Sequence, residues 1–243
     1  MKLVIAGSTG YVATELIRQA LAHSKITSII ALGRREAPLP SDAELHDSKA
    51  KLRSIICHDF EVYSDSIKAE LAEADACIWA IAIPPSKLQS VTWEEACKIS
   101  RDYAVTAVKV ISQLRRDSVP SKFRFIYISG SNAERDPSKK PPRLGDYCLM
   151  RGEAEIGVLA SAQESNGAVE ACIAKPGLIE SPHKTVAPDR AVNVPRINLS
   201  DLSAALLDQV VNGFEKDTLQ NEDLIRIGRS LAAQGSSWRV IRR

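Results

Sequence analysis

The chain has no C-x-x-C pair, no histidines at metal-ligand spacing, no large excess of charge and no long apolar run. Each absence closes off a class of protein. The five cysteines Cys57, Cys77, Cys97, Cys148 and Cys172 are odd in number and mostly embedded in apolar segments, which argues against a disulfide framework or a zinc site. They read as reduced thiols in a reducing compartment. His23, His46, His58 and His183 stand apart from any carboxylate pattern that would complete a metal centre, so no metal is expected. The net charge is only +2, and the basic residues are scattered apart from short clusters such as Arg115-Arg116 and Lys139-Lys140. No nucleic-acid partner is expected from that distribution. The run Leu3-Val4-Ile5-Ala6 is cut by Gly7 and is too short for a secretory h-region or a membrane span. The expected setting is cytoplasmic, without membrane contact.

What the sequence does have is alternation. Apolar runs at Lys2–Ala6, Ile26–Leu32, Arg53–His58, Ala76–Ala82, Arg124–Ser129 and Ala171–Lys175 read as strands, and amphipathic patterns at Tyr11–His23, Ser64–Glu73, Thr92–Arg116 and Tyr147–Gln163 read as helices between them. Strand and helix in turn predict a parallel sheet with right-handed crossovers, and continuously apolar strands predict burial on both faces. With 44% hydrophobic residues, the 243 residues suffice for one large core and show no division into independent domains. The fold class is therefore α/β, a doubly wound parallel sheet in a single domain. The segment Glu134–Asp146, with Pro137, Pro141, Pro142 and Gly145, reads as a surface loop. After Pro176-Gly177 the pattern weakens; helices resume at Ser200–Gly213 and Leu224–Gln234, with Trp238–Ile241 as a short terminal strand or tail.

The first strand runs into Gly7-Ser8-Thr9-Gly10-Tyr11-Val12-Ala13 and then a helix. This is the strand, glycine turn and helix start of a Rossmann-type dinucleotide site: glycine at Gly7 for a tight turn, glycine at Gly10 for close approach to a pyrophosphate, and a small residue at Ala13 against the strand. Backbone N–H groups at the helix start, aided by its dipole, face the phosphates. Roughly twenty positions later, where an acidic residue would accept from the NAD ribose, the chain has Gly33-Arg34-Arg35. The arginine fork suits a 2′-phosphate, so NADP(H) is the expected cofactor. At the end of the third strand Asp59 either accepts from the adenine amino group, with Phe60 flanking the ring, or caps a helix. Ala80 and Ile81 lie where a cofactor could pass the fourth strand, and Pro84-Pro85 equally just stops it.

These residues, with Arg101-Asp102-Tyr103, Tyr127-Ile128-Ser129-Gly130-Ser131, Tyr147-x-x-x-Arg151-Gly152-Glu153-x-Glu155, Lys175-Pro176-Gly177, Val194-Pro195 and Asp201-Leu202, resemble the atypical short-chain dehydrogenases/reductases of the NmrA-like and Tat-interacting-oxidoreductase-like kind. The resemblance covers most of the chain. It implies NADPH over the strand ends and a small C-terminal region, residues 178–243, that helps to form the substrate pocket. It also implies a catalytic serine after the fifth strand, for which Ser129 comes first and Ser131 second, and a Tyr-x-x-x-Lys pair matched here by Tyr147 and Arg151. Tyr147 and Arg151 are four residues apart and share a helical face, where a fixed positive charge favours an ionised phenol. Arginine for lysine is not a conservative exchange at a fitted site. Ser129, Tyr147 and Arg151 would also touch the cofactor, as would Pro176, Gly177 and Ile179 near the nicotinamide.

The function expected from this is NADP(H)-dependent reduction of a carbonyl or conjugated double bond in a small apolar metabolite, as in secondary metabolism. Two alternatives remain: an NmrA-like regulator that binds NADP(H) without turnover and signals to a protein partner, and a redox-neutral isomerase or cyclase on the same scaffold. The stripe Ala96, Ile99, Tyr103, Ala107, Val110, Ile111 and Leu114 covers the sheet or pairs two copies, so a homodimer stays open. The substrate pocket is assigned to Pro84–Val91, Glu134–Asp146 and Ser181–Pro195.

Overall fold

A computed structural model of the protein describes residues 1–38, 50–115, 122–181 and 194–240. In chain order the elements are β1 (Lys2–Ala6), α1 (Tyr11–Ala22), β2 (Ser28–Gly33), β3 (Leu52–Ile56), α2 (Asp65–Ala72), β4 (Ala76–Trp79), α3 (Trp93–Cys97), α4 (Tyr103–Arg115), β5 (Phe123–Ile128), α5 (Gly145–Gln163), β6 (Val169–Lys175), β7 (Leu178–Glu180), β8 (Arg196–Asn198), α6 (Leu199–Asn212), β9 (Thr218–Gln220) and α7 (Asn221–Val240). Seven strands form one sheet in the order β3-β2-β1-β4-β5-β6-β9, and β7 pairs with β8 apart from it. Every pairing in the sheet is parallel. This is a doubly wound Rossmann-like α/β fold.

Strand side chains alternate between two cores. Leu3 and Ile5 join Ile126 and Ile128 under α1, α6 and α7, while Val4 and Ala6 join Phe125 and Tyr127 under α2, α4 and α5. Because both faces are covered, the strands read as continuous apolar runs. The chain reverses its winding between β1 and β4, and a ligand crevice in such a sheet opens at the carboxyl ends of the strands flanking that switch.

Several expected boundaries move, each for a tertiary reason. The helix expected over Thr92–Arg116 is α3 and α4 joined by a π turn at Lys98–Asp102, and Arg116 lies outside the described residues. Within that turn the Ser100 hydroxyl accepts from Ile83 N–H at 2.9 Å, and its carbonyl accepts from Tyr127 OH at 2.6 Å. An inserted residue that anchors a strand end in this way is typical of π turns near functional sites. Asp59 does not cap α2: Ser64 does, accepting from Ile67 N–H, while Asp59 closes its own turn with Glu61 N–H at 3.0 Å. The end of the chain is helical through Val240, not a strand from Trp238, and Ile241 falls outside the described residues. The short β9 joins the main sheet beside β6, a pairing no periodicity in three residues could announce.

Gly152 of α5 sits where a side chain cannot fit. A Cβ there would lie far inside contact distance of Glu134 O and the adjoining backbone, so the 134–135 segment lies directly on the helix. In an open helix Gly→Ala stabilises by about 0.5–1 kcal/mol. Here Gly152→Ala is expected to destabilise by at least about 1–3 kcal/mol through overpacking. Urea denaturation reads the sign directly; a stabilised variant would refute the close packing.

Candidate functional site

The glycine turn is built as its spacing requires. Gly7 adopts φ +85°, and a Cβ on it would press on the Ala80 backbone and Ile81 at 3.1 Å, which brings the end of β4 against the turn. Its N–H donates to Leu32 O at 2.9 Å, and Gly10 N–H closes the turn on Gly7 O at 2.8 Å. No side chain caps α1 at Gly10. The third small position, Ala13, is fully buried against the sheet. Thr9 is exposed, and Tyr11 and Val12 are half-buried at the start of α1.

Ser8 is fully buried, and its hydroxyl has no hydrogen-bond partner among the described residues. A Cβ on Gly33 would lie 2.6 Å from that hydroxyl, so the turn and the end of β2 meet here without intervening atoms. Beyond Gly33, Arg34 and Arg35 are both exposed at the open edge. An uncapped helix start, a glycine cradle, an orphaned hydroxyl and two exposed arginines together fit a dinucleotide. At the next strand end the Asp59 carboxyl is about half exposed, with Lys98 Nζ 3.9 Å away, and the Glu61 backbone N–H and this cation hold it below its ordinary pKa. Phe60 departs from expectation. Its ring is buried in an aromatic cluster with Tyr63, Trp79 and Tyr103, and it packs the core where a flank for an adenine was expected.

The second half of the site gathers at the end of β5. Tyr147 and Arg151 occupy one face of α5, with Arg151 Nη1 3.3 Å from Tyr147 OH. Arg151 is buried; its Nη2 donates to Ile128 O at 2.7 Å, and its guanidinium lies 5.0 Å over the Tyr127 ring. Burial opposes its charge, yet Tyr127 and Tyr147 beside it, with Glu155, hold its pKa above the ordinary arginine value. Arg151 has no carboxylate in ion-pair contact among the described residues, and its Nε lacks a partner. Tyr147 OH donates to Ile83 O at 2.9 Å. Burial pushes the Tyr127 phenol up to about 12, so Tyr127 keeps the proton it gives to Ser100 O. Tyr147, Ile83, Ser100, Tyr127 and Arg151 thus close one ring of contacts that fixes the loop after β4 to α5.

Ser129 follows β5 as expected, with its N–H on Ala174 O, while Ser131 N–H donates to Pro176 O. The Ser129 hydroxyl was expected to orient a carbonyl. Its proton instead goes to Glu155 Oε1 at 2.5 Å. Glu155 is fully buried on α5, and its other oxygen accepts from Arg135 Nε at 2.6 Å and from Lys175 Nζ at 3.2 Å. Glu155 closes the Tyr147-x-x-x-Arg151-Gly152-Glu153-x-Glu155 motif, with no role evident in the sequence. The available signal was its spacing: four residues beyond Arg151 places it on the face that carries Tyr147. Lys175, at the end of β6, spends its ammonium on Glu155 and on Ala133 O at 2.7 Å, and does not face solvent.

Gly177 also differs from expectation. The close approach at Gly177 is made by Pro195, whose carbonyl a Cβ would overlap, and Gly177 N–H donates to Asn221 Oδ1 at 2.8 Å. Glycine is needed there because β7 and the segment before β8 are pressed together, so this N–H is spent within the protein. Ile179 is half-buried in β7, paired with Ile197. Of the expected pocket segments, residues 182–193 lie outside the described residues.

The fold is Rossmann-type, and solved structures of that fold resemble this chain along most of its length. MoeE5 in complex with UDP-glucose and NAD aligns over 96% of this chain and 82% of its own, with a TM-score of 0.67 at 13% identity. UDP-glucuronic acid 4-epimerase from Bacillus cereus, solved with NAD, aligns over 90% and 77%, with a TM-score of 0.60 at 13% identity. The oxidoreductase ylbE from Lactococcus lactis covers 92% of this chain and 95% of its own, with a TM-score of 0.57 at 17% identity. In sequence, the chain is 32% identical over 129 residues to leucinostatins biosynthesis cluster protein T of Purpureocillium lilacinum, a match spanning 53% of this chain and 42% of that protein. No family model matches the chain. No helix among the described residues is long and apolar enough to cross a membrane.

Proposed function

We propose that the protein is an NADP(H)-dependent oxidoreductase of the atypical short-chain kind, reducing a carbonyl or conjugated double bond in a small, largely apolar metabolite. The observation that carries this reading is the Tyr147–Arg151 pair at the end of β5, joined to the loop after β4 at Ile83, the same strand end on which the glycine turn packs. NAD in the neighbouring folds supports a nicotinamide dinucleotide at that turn. The curated relative's name, from a biosynthesis cluster, supports a role in secondary metabolism. The preference for NADP(H) rests on Arg34 and Arg35 and on the absence of a carboxylate at that position.

Gly7, Ser8, Gly10 and the start of α1 would hold the pyrophosphate, and Arg34 and Arg35 the 2′-phosphate. When bound, the nicotinamide supplies a hydride. Tyr147 supplies the proton: a substrate carbonyl oxygen replaces Ile83 O as the acceptor of its hydroxyl. Arg151 holds the phenol in place and carries the adjacent positive charge, its planar fork reaching Tyr147 OH with one nitrogen and Ile128 O with another.

The cofactor assignment is tested by Arg34→Ala/Arg35→Ala. The double variant is expected to raise the Kd for NADPH by tenfold or more, since a charge-assisted contact is worth about 1.5–3 kcal/mol, while the Kd for NADH changes by less than about twofold. Equal losses for both nucleotides would remove the 2′-phosphate from the assignment.

A second reading is favoured by one observation. Because the hydroxyl protons of Tyr147 and Ser129 are both engaged by protein acceptors, the same geometry suits an NmrA-like sensor that binds NADP(H) without turnover. The two readings part on steady-state NADPH oxidation against ketones, enones and quinones.

A further inference from the structure

The geometry points to Ser129 as a hydrogen-bond acceptor fixed by Glu155, and so to a substrate that carries a hydroxyl beside its reducible carbonyl. This rests on the site proposed above and narrows its substrate class.

A serine hydroxyl has one proton and two acceptor lone pairs. The Ser129 hydroxyl donates to a carboxylate oxygen of Glu155, a charge-assisted bond of roughly twice the strength of a neutral one. Glu155 is fully enclosed, and Arg135 and Lys175 both donate to its second oxygen, with Lys175 also 3.1 Å from the first. The glutamate is closed off from solvent, and the Ser129 hydroxyl is the shortest donor to its first oxygen. If Ser129 turned its proton to a ligand carbonyl, a buried carboxylate oxygen would lose its short donor. The lone pairs left on Ser129 therefore meet a donor.

Tyr147 differs in the one respect that matters. Its proton is held by the neutral backbone carbonyl of Ile83, in a position only partly buried. A ligand oxygen can take that place at little cost. Arg151 ties the two positions together, since it contacts Tyr147 OH with one nitrogen and the carbonyl of Ile128, the residue before Ser129, with another. The site thus offers a donor at Tyr147 and an acceptor at Ser129. A carbonyl with a neighbouring hydroxyl matches both; a simple ketone matches only Tyr147.

The test is calorimetric titration of the full chain, free of nucleotide, with 2-hydroxyacetophenone and acetophenone. The hydroxyketone is expected to bind about tenfold more tightly, the worth of one hydrogen bond. Ser129→Ala is expected to erase that ratio and Ser129→Thr to keep it. In Glu155→Gln the amide can donate to Ser129 and release its proton toward the ligand, so the ratio should fall to about one or invert. If Glu155 served only stability, both probes would weaken alike and the ratio would survive. Equal binding by the wild-type chain, a ratio that persists in Ser129→Ala, or binding of neither probe overturns the inference. Should Glu155→Gln fail to fold, the two Ser129 variants still decide it. NADPH binding, followed separately by fluorescence, distinguishes this from failure of the proposed function: a chain that binds no nucleotide but keeps the ratio refutes only the latter.

Discussion

Tyr147→Phe is expected to lower NADPH-dependent turnover by about 10²–10⁴-fold, the usual contribution of a positioned proton donor. Only the hydroxyl is removed, and with it the contacts to Ile83 O and Arg151. The ring stays, so the loss of stability should be limited to about two hydrogen bonds, roughly 1–3 kcal/mol. The discriminating measurement is kcat for the variant alongside its Kd for NADPH and its melting temperature. A large fall in kcat with nucleotide affinity intact identifies the tyrosine as the proton donor. Unchanged turnover would take Tyr147 out of the chemistry and leave it as the latch between α5 and the loop after β4.

The largest expected effect on stability comes from Glu155→Ala. Burial of an ion pair contributes little net stability, but removing one partner leaves the other charged and enclosed, at about 3–5 kcal/mol. In this protein the partner left behind is chiefly Lys175, itself buried, whereas Arg135 can turn to solvent. Glu155→Leu combined with Lys175→Met removes both buried charges and should recover most of the loss, as apolar replacement of buried pairs often does. Urea unfolding of the two variants gives the comparison. Similar destabilisation in both would mean that Lys175 is not the strained group.

Individual residues show how far the sequence reaches. Gly7-Ser8-Thr9-Gly10 told its own story, because turn geometry depends on a few consecutive residues, and the φ of +85° at Gly7 is what glycine there implies. The strands were legible because burial on both faces leaves an unbroken apolar run. Gly177 was legible only as a point of close approach. Which atoms approach it, those of Pro195 or of a ligand, depends on a segment eighteen residues away by numbering, from Gly177 to Pro195. Phe60 had the position of an adenine neighbour and the hydrophobicity of a core residue, and the neighbouring rings Tyr63, Trp79 and Tyr103 drew it inward.

The sequence by itself determined the doubly wound class, the glycine turn after β1 and the placing of Tyr147 and Arg151 on one helical face, since all three follow from periodicity and local backbone chemistry. Only the tertiary structure decided which acceptor holds each proton: Glu155 for Ser129, the Ile83 carbonyl for Tyr147, and the Ser100 carbonyl in its π turn for Tyr127. The physical reason is directional. Hydrophobic burial acts on whole faces and leaves a period in the sequence, whereas a hydrogen bond needs two particular atoms within about 3 Å at the right angle. Residues far apart in the chain meet that condition only once the sheet and α5 are assembled.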